Sequence, residues 1–364
     1  MGAWEGRVQM AKASVTLERT LDELTVEGEL YEKLDEPHNA VRCYACAHRC
    51  VIKDGRRGIC HVRYNAGGVL RVPSSYVAAL NVDPTEKKPF FHILPGSHTL
   101  TFGMLGCDLH CSYCQNWVTS QTLRDPEAGV EPQLVTSDQM VKIAKRYGAD
   151  LVGSSYNEPL ITSEWSVEVF KKATQAGLRC VYISNGNATR EVLEYIRPYM
   201  VGYKIDLKTM NDKSYRKLGA VLKHVLDGIK MVHEMGLWLE VVTLVVPGFN
   251  DSNEELWDAA RFLVSVSPDI PWHLTAFHKD YKMTDPDNTD AKTLLRAAEI
   301  GQEAGLRYVY AGNLPGMTGT YENTYCYNCG ELLVTRYGYY IRSNKLAGTG
   351  RCPKCGTAIA GIWK

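Results

Sequence analysis

The sequence predicts an α/β protein: a partial (β/α)6 barrel of the TIM type, with a four-cysteine metal domain before it and a four-cysteine ribbon after it. From Thr99 onwards, six short apolar runs alternate with helical patterns at spacings of about 20 to 50 residues, as in a parallel sheet. Each run ends in polar or charged residues, which is where parallel barrels carry their chemistry. Eleven of the twelve cysteines fall into three tight groups, one before, one inside and one after this stretch.

A chain of 364 residues is long enough for two or three domains. Lys+Arg and Asp+Glu balance at 41 each, so no net field draws the protein to polyanions; nucleic acid stays open only through a local patch. Grouped cysteines point to metal in a reducing cytoplasm and not to disulfides. Met1 to Thr20 carries charges throughout with no apolar block, and no run reaches the ~18 apolar residues of a membrane span. Gly6 stands where a myristoylation signal needs Ser or Thr. The expected location is cytoplasmic, with no membrane partner.

Residues 1–40 read as a polar arm, helical from Ser14 to Leu30 on the spacing of Leu17, Leu21 and Leu24, and packed on the outside of the next domain. Residues 41–98 open with Cys43, Cys46, Cys50 and Cys60, the turn Lys53–Gly58 bringing the last back to the first three. Zinc is the structural reading and a second [4Fe-4S] cluster the redox one; the small apolar content favours a zinc staple. Phe90 to Gly96 then reads as a linker with an aromatic anchor.

Residues 99–316 hold the barrel. Its strand candidates are Thr99–Leu105, Leu151–Tyr156, Cys180–Ser184, Val201–Leu207, Leu237–Val246 and Trp272–Phe277, with Arg307–Tyr310 as a seventh run. Thr136/Gln139 and Asp251/Glu254 resemble capping boxes, and Gly148, Gly177, Gly236 and Gly305 sit where helices should stop. The strand-end residues are the cysteine loop, Ser155–Pro159, Ser184–Asn187, Asp206 with Lys208, Val246–Asp251, and His278, Lys279 and Tyr281. Residues 317–364 carry Cys326-x2-Cys329 and Cys352-x2-Cys355, each pair followed by glycine, around a hairpin-like segment; this is the pattern of a zinc ribbon. It is expected to lie outside the barrel and to be dispensable for chemistry there.

Cys107, Cys111 and Cys114 follow the first strand at C-x3-C-x2-C spacing. Three thiolates can hold three irons of a [4Fe-4S] cluster and leave the fourth open, whereas a zinc site would need His110 as a fourth ligand. With Tyr113 beside the third cysteine, the loop resembles that of the radical S-adenosylmethionine (radical SAM) superfamily. From Cys43 to Gly316 the chain is similar to the radical SAM enzyme of the AmmeMemoRadiSam system, related to the activases of glycyl-radical enzymes such as pyruvate formate-lyase. The motifs that carry this are Cys43…Cys60, Glu86-Lys87-Lys88-Pro89, Gly106…Asn116, Asn157-Glu158-Pro159, Lys204–Lys208, Pro247–Asp251 and Phe277-His278.

The resemblance implies that Cys107, Cys111 and Cys114 ligate the cluster and that S-adenosylmethionine (SAM) fills the open iron. Tyr113 looks like the residue near adenine, Asn157-Glu158 like the pair at the SAM amino group, with Glu158 the acid that receives it. Ser184 and Asn185 look like the carboxylate or ribose contacts, and Asp206 with Lys208 like the activase pair beside SAM. It further implies a one-electron donor such as flavodoxin or ferredoxin, and a gene-neighbourhood association with Memo-like and AMMECR-like proteins. Ile183 stands where an activase usually has Asp, and no two-cluster ferredoxin insert follows the first strand, so a glycyl-radical substrate is not implied. The rival reading is a zinc-only binding or scaffold module.

Overall fold

The computed structural model describes residues 15–35 and 39–364. At its centre lies an eight-stranded sheet of β1 (Ala79–Pro84), β2 (His98–Gly103), β3 (Leu151–Ser154), β4 (Arg179–Ser184), β5 (Gly202–Asp206), β6 (Trp238–Val245), β7 (Trp272–Ala276) and β8 (Val309–Gly312), each beside the next. β1 runs antiparallel to β2, and the six other pairings are parallel. β2 to β7 fall on the six expected runs because a parallel strand is covered on both faces and so reads as continuous apolar sequence. β3 is buried at all four positions. The seventh run joins as the parallel edge strand β8.

Helices cross between successive parallel strands: Ser137–Arg146, Ser163–Gln175, Arg190–Ile196, Asp212–Leu218 with Leu222–Glu234, Asn253–Val266 and Ala291–Glu303. The capping box at Thr136 and Gln139 is present. At the Asn253–Val266 helix the cap is Ser252, one residue later than expected, because Asp251 accepts the Gly248 N–H (2.9 Å) and so closes the preceding turn. All four expected stop glycines have positive φ.

Two expectations about the flanks change. The arm helix ends at Glu23, and Thr25–Glu27 then pairs antiparallel with Val69–Pro73, while Tyr31–Lys33 pairs with Val41–Cys43. The arm is therefore woven into the four-cysteine unit; its Ser14 start lies outside the described residues. Strands of three residues are too short to overwrite a helical leucine spacing, so only their partners reveal them.

The ribbon is likewise not an outside module. Its hairpin, Leu332–Tyr337 and Tyr340–Asn344, packs Leu333 and Val334 with Phe91, Tyr308, Tyr310, Leu346 and Trp363 in one buried cluster. The buried Arg336 donates to the Phe91 carbonyl (2.9 Å) and to Thr324 Oγ1 (2.8 Å), and Ile362 N–H donates to the His92 carbonyl (2.7 Å). The Phe90–Gly96 segment is thus a plug between sheet and ribbon. Its Phe91 and His92 N–H groups both donate to the buried Glu240 carboxylate, each at 2.9 Å. Truncation before Tyr325 is accordingly expected to expose the sheet's own aromatic residues. Leu333→Ala, at a fully buried site, should lower unfolding free energy by about 2–5 kcal/mol in urea titrations; an unchanged midpoint would mean that the ribbon is not part of this core. Among the described residues no helix is long and apolar enough to cross a membrane.

Candidate active site

The loop that leaves β2 is held at many points. Gly106 N–H donates to the Thr119 carbonyl (2.9 Å) and His110 N–H to that of Leu218 (2.9 Å). Arg124 donates to the carbonyls of Leu109 (2.7 Å) and Cys107 (3.1 Å). Asp108, fully buried, accepts from the side-chain amides of Asn185 (2.7 Å) and Asn187 (2.8 Å). Cys107, Cys111 and Cys114 line one wall of a cavity of about 870 Å³. Cys107 Sγ accepts the Leu109 N–H (3.4 Å), and burial pushes all three thiols up, Cys111 to about 12.

The same cavity is lined by Tyr113, Asn157, Glu158, Ser184, Asn185, Asp206 and Lys208, so every site residue expected around the cysteine loop lines it. β2 and β3 approach closely here: a Cβ on Gly103 would lie 2.5 Å from the Ser155 carbonyl oxygen, so only glycine lets the Ser155–Glu158 turn close over the loop. Asn157 Oδ1 accepts the Met104 N–H (3.1 Å). Tyr113 is buried edge-on to Phe249, with ring centroids 5.7 Å apart.

Glu158 is almost fully buried, and its carboxylate accepts from Ser184 Oγ (2.7 Å), Asn185 N–H (2.8 Å) and Leu160 N–H (3.1 Å). Burial first, and the neighbouring Asp108 carboxylate second, push its carboxyl up to about 8 despite these donors. Its place at a strand end gave no sign of this burial. What stands there is a desolvated carboxyl that gains from a cation.

On β5, Asp206 binds Lys204 Nζ through Oδ1 and Lys208 Nζ (3.3 Å) through Oδ2. Burial alone would raise Asp206, but the two ammonium groups hold it below the usual carboxylate range. Lys204 was legible in principle, since residues two apart on a strand share a face. Asp108, within the cysteine loop, is a second residue that sequence reasoning passed over.

Other strand-end residues divide. His278 lines the cavity and accepts from Gln115 Nε2 (2.9 Å). Asn250 instead pins its loop to the carbonyls of Lys208 (2.7 Å) and Leu244 (2.8 Å), and Tyr281 stacks on Trp117 outside the cavity wall. Two lining residues come from unexpected places. Glu86 is fully buried, and burial pushes it to about 7. Tyr339, from the ribbon hairpin, donates its hydroxyl to Asn313 Oδ1 (3.0 Å).

The three cysteine sets differ in spacing. Cys326, Cys329, Cys352 and Cys355 place all four sulfurs within 4.8 Å of one another, with Cys326–Cys355 and Cys329–Cys352 at 3.6 Å. Among the described residues this is the one group of three or more Cys, His, Asp or Glu ligand atoms so close. Cys107, Cys111 and Cys114 do not form a second group of this kind among the described residues, and they line a cavity with room for a further ligand.

Residues 102–263 match the Radical SAM superfamily. The chain is 37% identical over 336 residues to the uncharacterized protein MJ0808 of Methanocaldococcus jannaschii, covering 92% of this chain and 98% of that one. It is 25% identical over 249 residues to the pyruvate formate-lyase-activating enzyme of Staphylococcus aureus, covering 61% and 92%. Among solved structures, a radical SAM methyltransferase from Sphaerobacter thermophilus aligns over 88% of this chain and 85% of its own with a TM-score of 0.48 and 14% identity.

Proposed function

The chain belongs to the radical SAM superfamily, and from this premise we propose that it binds a [4Fe-4S] cluster at Cys107, Cys111 and Cys114 and cleaves SAM beside them. The observation that carries the assignment of residues is the single cavity shared by those cysteines with Asn157, Glu158, Ser184, Asn185, Asp206 and Lys208. With both cofactors bound, one-electron reduction yields methionine and a 5′-deoxyadenosyl radical that takes hydrogen from a substrate carbon.

The chain's own residues orient and neutralise. Glu158, fixed by three donors, accepts the SAM ammonium. Ser184 and Asn185 hold the methionyl carboxylate or the ribose, and Tyr113 flanks the adenine. In the Lys204–Asp206–Lys208 triad two ammonium groups share one carboxylate, so the triad brings a net positive charge to the cavity. The curving of the sheet into a partial barrel, with the four-cysteine unit before it and the ribbon after it, is part of this reading.

The ribbon is read as a zinc site. Zn–S bonds of about 2.3 Å in a tetrahedron put sulfurs roughly 3.8 Å apart, close to the 3.6 Å pairs. Electrons come from a donor of the flavodoxin or ferredoxin class, in the cytoplasm where such thiols stay reduced. The candidate substrate classes are a protein to be activated, a peptide, a tRNA base and a metabolite. Anaerobic reconstitution with deuterated candidates, followed by a search for label in 5′-deoxyadenosine, tests the reading; label from none of these classes would remove hydrogen abstraction from them.

The raised Glu158 carboxyl gives a pH signature. Below pH 7 the free site carries a proton that the SAM ammonium must displace, so SAM affinity should tighten by up to about tenfold per pH unit from pH 6, pass through a maximum near pH 8 and fall above it, where the SAM α-amino group, with an ordinary pKa of about 7.7–8.0, loses its own proton. Equilibrium dialysis between pH 6 and 8.5 reads this; a flat profile would place the ammonium elsewhere.

A further inference from the structure

The four-cysteine unit stands directly behind the catalytic loop. A Cβ on Gly106, whose φ is +92°, would lie 3.0 Å from the Cys60 carbonyl oxygen, so the two cysteine-bearing backbones touch one residue before Cys107. Arg124 spans the junction, donating to the carbonyl of Ile59 (2.7 Å) as well as to that of Cys107. On the other side, Ala47 N–H donates to the Asn187 carbonyl (2.9 Å), and the Asn187 side chain holds Asp108. Cys46 thus lies within electrostatic reach of Cys43, Cys50, Cys60 and Asp108 together.

Two features separate this unit from a zinc staple. Among the described residues the ribbon's four cysteines form the group whose sulfurs all lie within 4.8 Å of one another, and Cys43, Cys46, Cys50 and Cys60 do not form a second such group. A single ion draws its thiolates together, whereas a cubane binds each through a different iron. Its outer edge also reaches the surface, with Cys50 half-buried and Ile59 exposed, whereas its inner edge is the backbone of the catalytic loop.

We propose, resting on the radical SAM reading above, that Cys43, Cys46, Cys50 and Cys60 hold a second [4Fe-4S] cluster that feeds electrons to the Cys107–Cys114 cluster. Each electron leaves the reduced second cluster, which returns to its oxidised state, and reduces the catalytic one. From there it breaks one sulfur–carbon bond of SAM. An external low-potential one-electron donor of the flavodoxin or ferredoxin class recharges the second cluster.

The test uses the full chain, reconstituted without oxygen. Wild type should hold about eight irons, and the Cys107→Ala/Cys111→Ala/Cys114→Ala protein about four, with the electron-paramagnetic signal of a reduced cubane. Zinc instead of iron in that triple variant overturns the proposal. Wild type reduced, freed of reductant and mixed with SAM should form 5′-deoxyadenosine at close to two per chain; a yield that stops at one, with both clusters present, overturns the transfer. Formation of none, with about eight irons bound, counts against SAM cleavage itself and not against the second cluster, which the iron count reads independently.

Discussion

Cys107→Ala, Cys111→Ala and Cys114→Ala are each expected to remove about four irons per chain and reduce 5′-deoxyadenosine formation below detection, with circular dichroism unchanged. The fold should survive because most of the bonds that position the loop do not involve its thiols. Arg124 holds the Leu109 and Cys107 carbonyls, Asn185 and Asn187 hold Asp108, and His110 N–H is tied to Leu218. Truncating a cysteine to alanine removes one sulfur and leaves every one of these bonds. Loss of the circular-dichroism signal in all three variants would mean that the cysteines are structural.

Glu158→Gln should weaken SAM binding and cleavage roughly 10- to 100-fold with iron content intact, the effect of losing a charge-assisted bond of about 1.5–3 kcal/mol. Geometry adds to this. One carboxylate oxygen takes Ser184 Oγ and Leu160 N–H, and the other takes Asn185 N–H. The glutamine amide can replace only the first; its NH2 then faces the Asn185 N–H, donor against donor, at the turn that also positions Asp108. The rise of affinity with pH should vanish in the same variant. Unchanged SAM affinity, measured by equilibrium dialysis, would remove Glu158 from the ammonium site.

The sequence was most legible where burial is symmetrical. β2 to β7 read as apolar runs because most of their residues are buried whichever face they point to, and the cavity residues read as polar interruptions at their ends. It was least legible where a partner strand far along the chain decides the outcome. Thr25–Glu27 and Ala79–Pro84 are strands only because Val69–Pro73 and β2 lie beside them. The Phe90–Gly96 segment looked like a linker because nothing in it announces Glu240, nearly 150 residues on, as the acceptor of its N–H groups. For the same reason Arg336 gave no hint that the ribbon is seated on the sheet. Glu158 illustrates a different limit: its identity and place were legible, but its burial beside Asp108, and hence its raised carboxyl, depend on a contact between two strand ends.

The most direct measurement is 5′-deoxyadenosine formation by the anaerobically reconstituted full chain, supplied with SAM and a strong one-electron reductant. Radical SAM chemistry at this cavity requires a brown, oxygen-sensitive protein that forms 5′-deoxyadenosine and methionine in equal amounts and stops doing so when Cys111 is replaced. A colourless protein purified without oxygen, with zinc in all its cysteine sites, no iron and no 5′-deoxyadenosine, would contradict it.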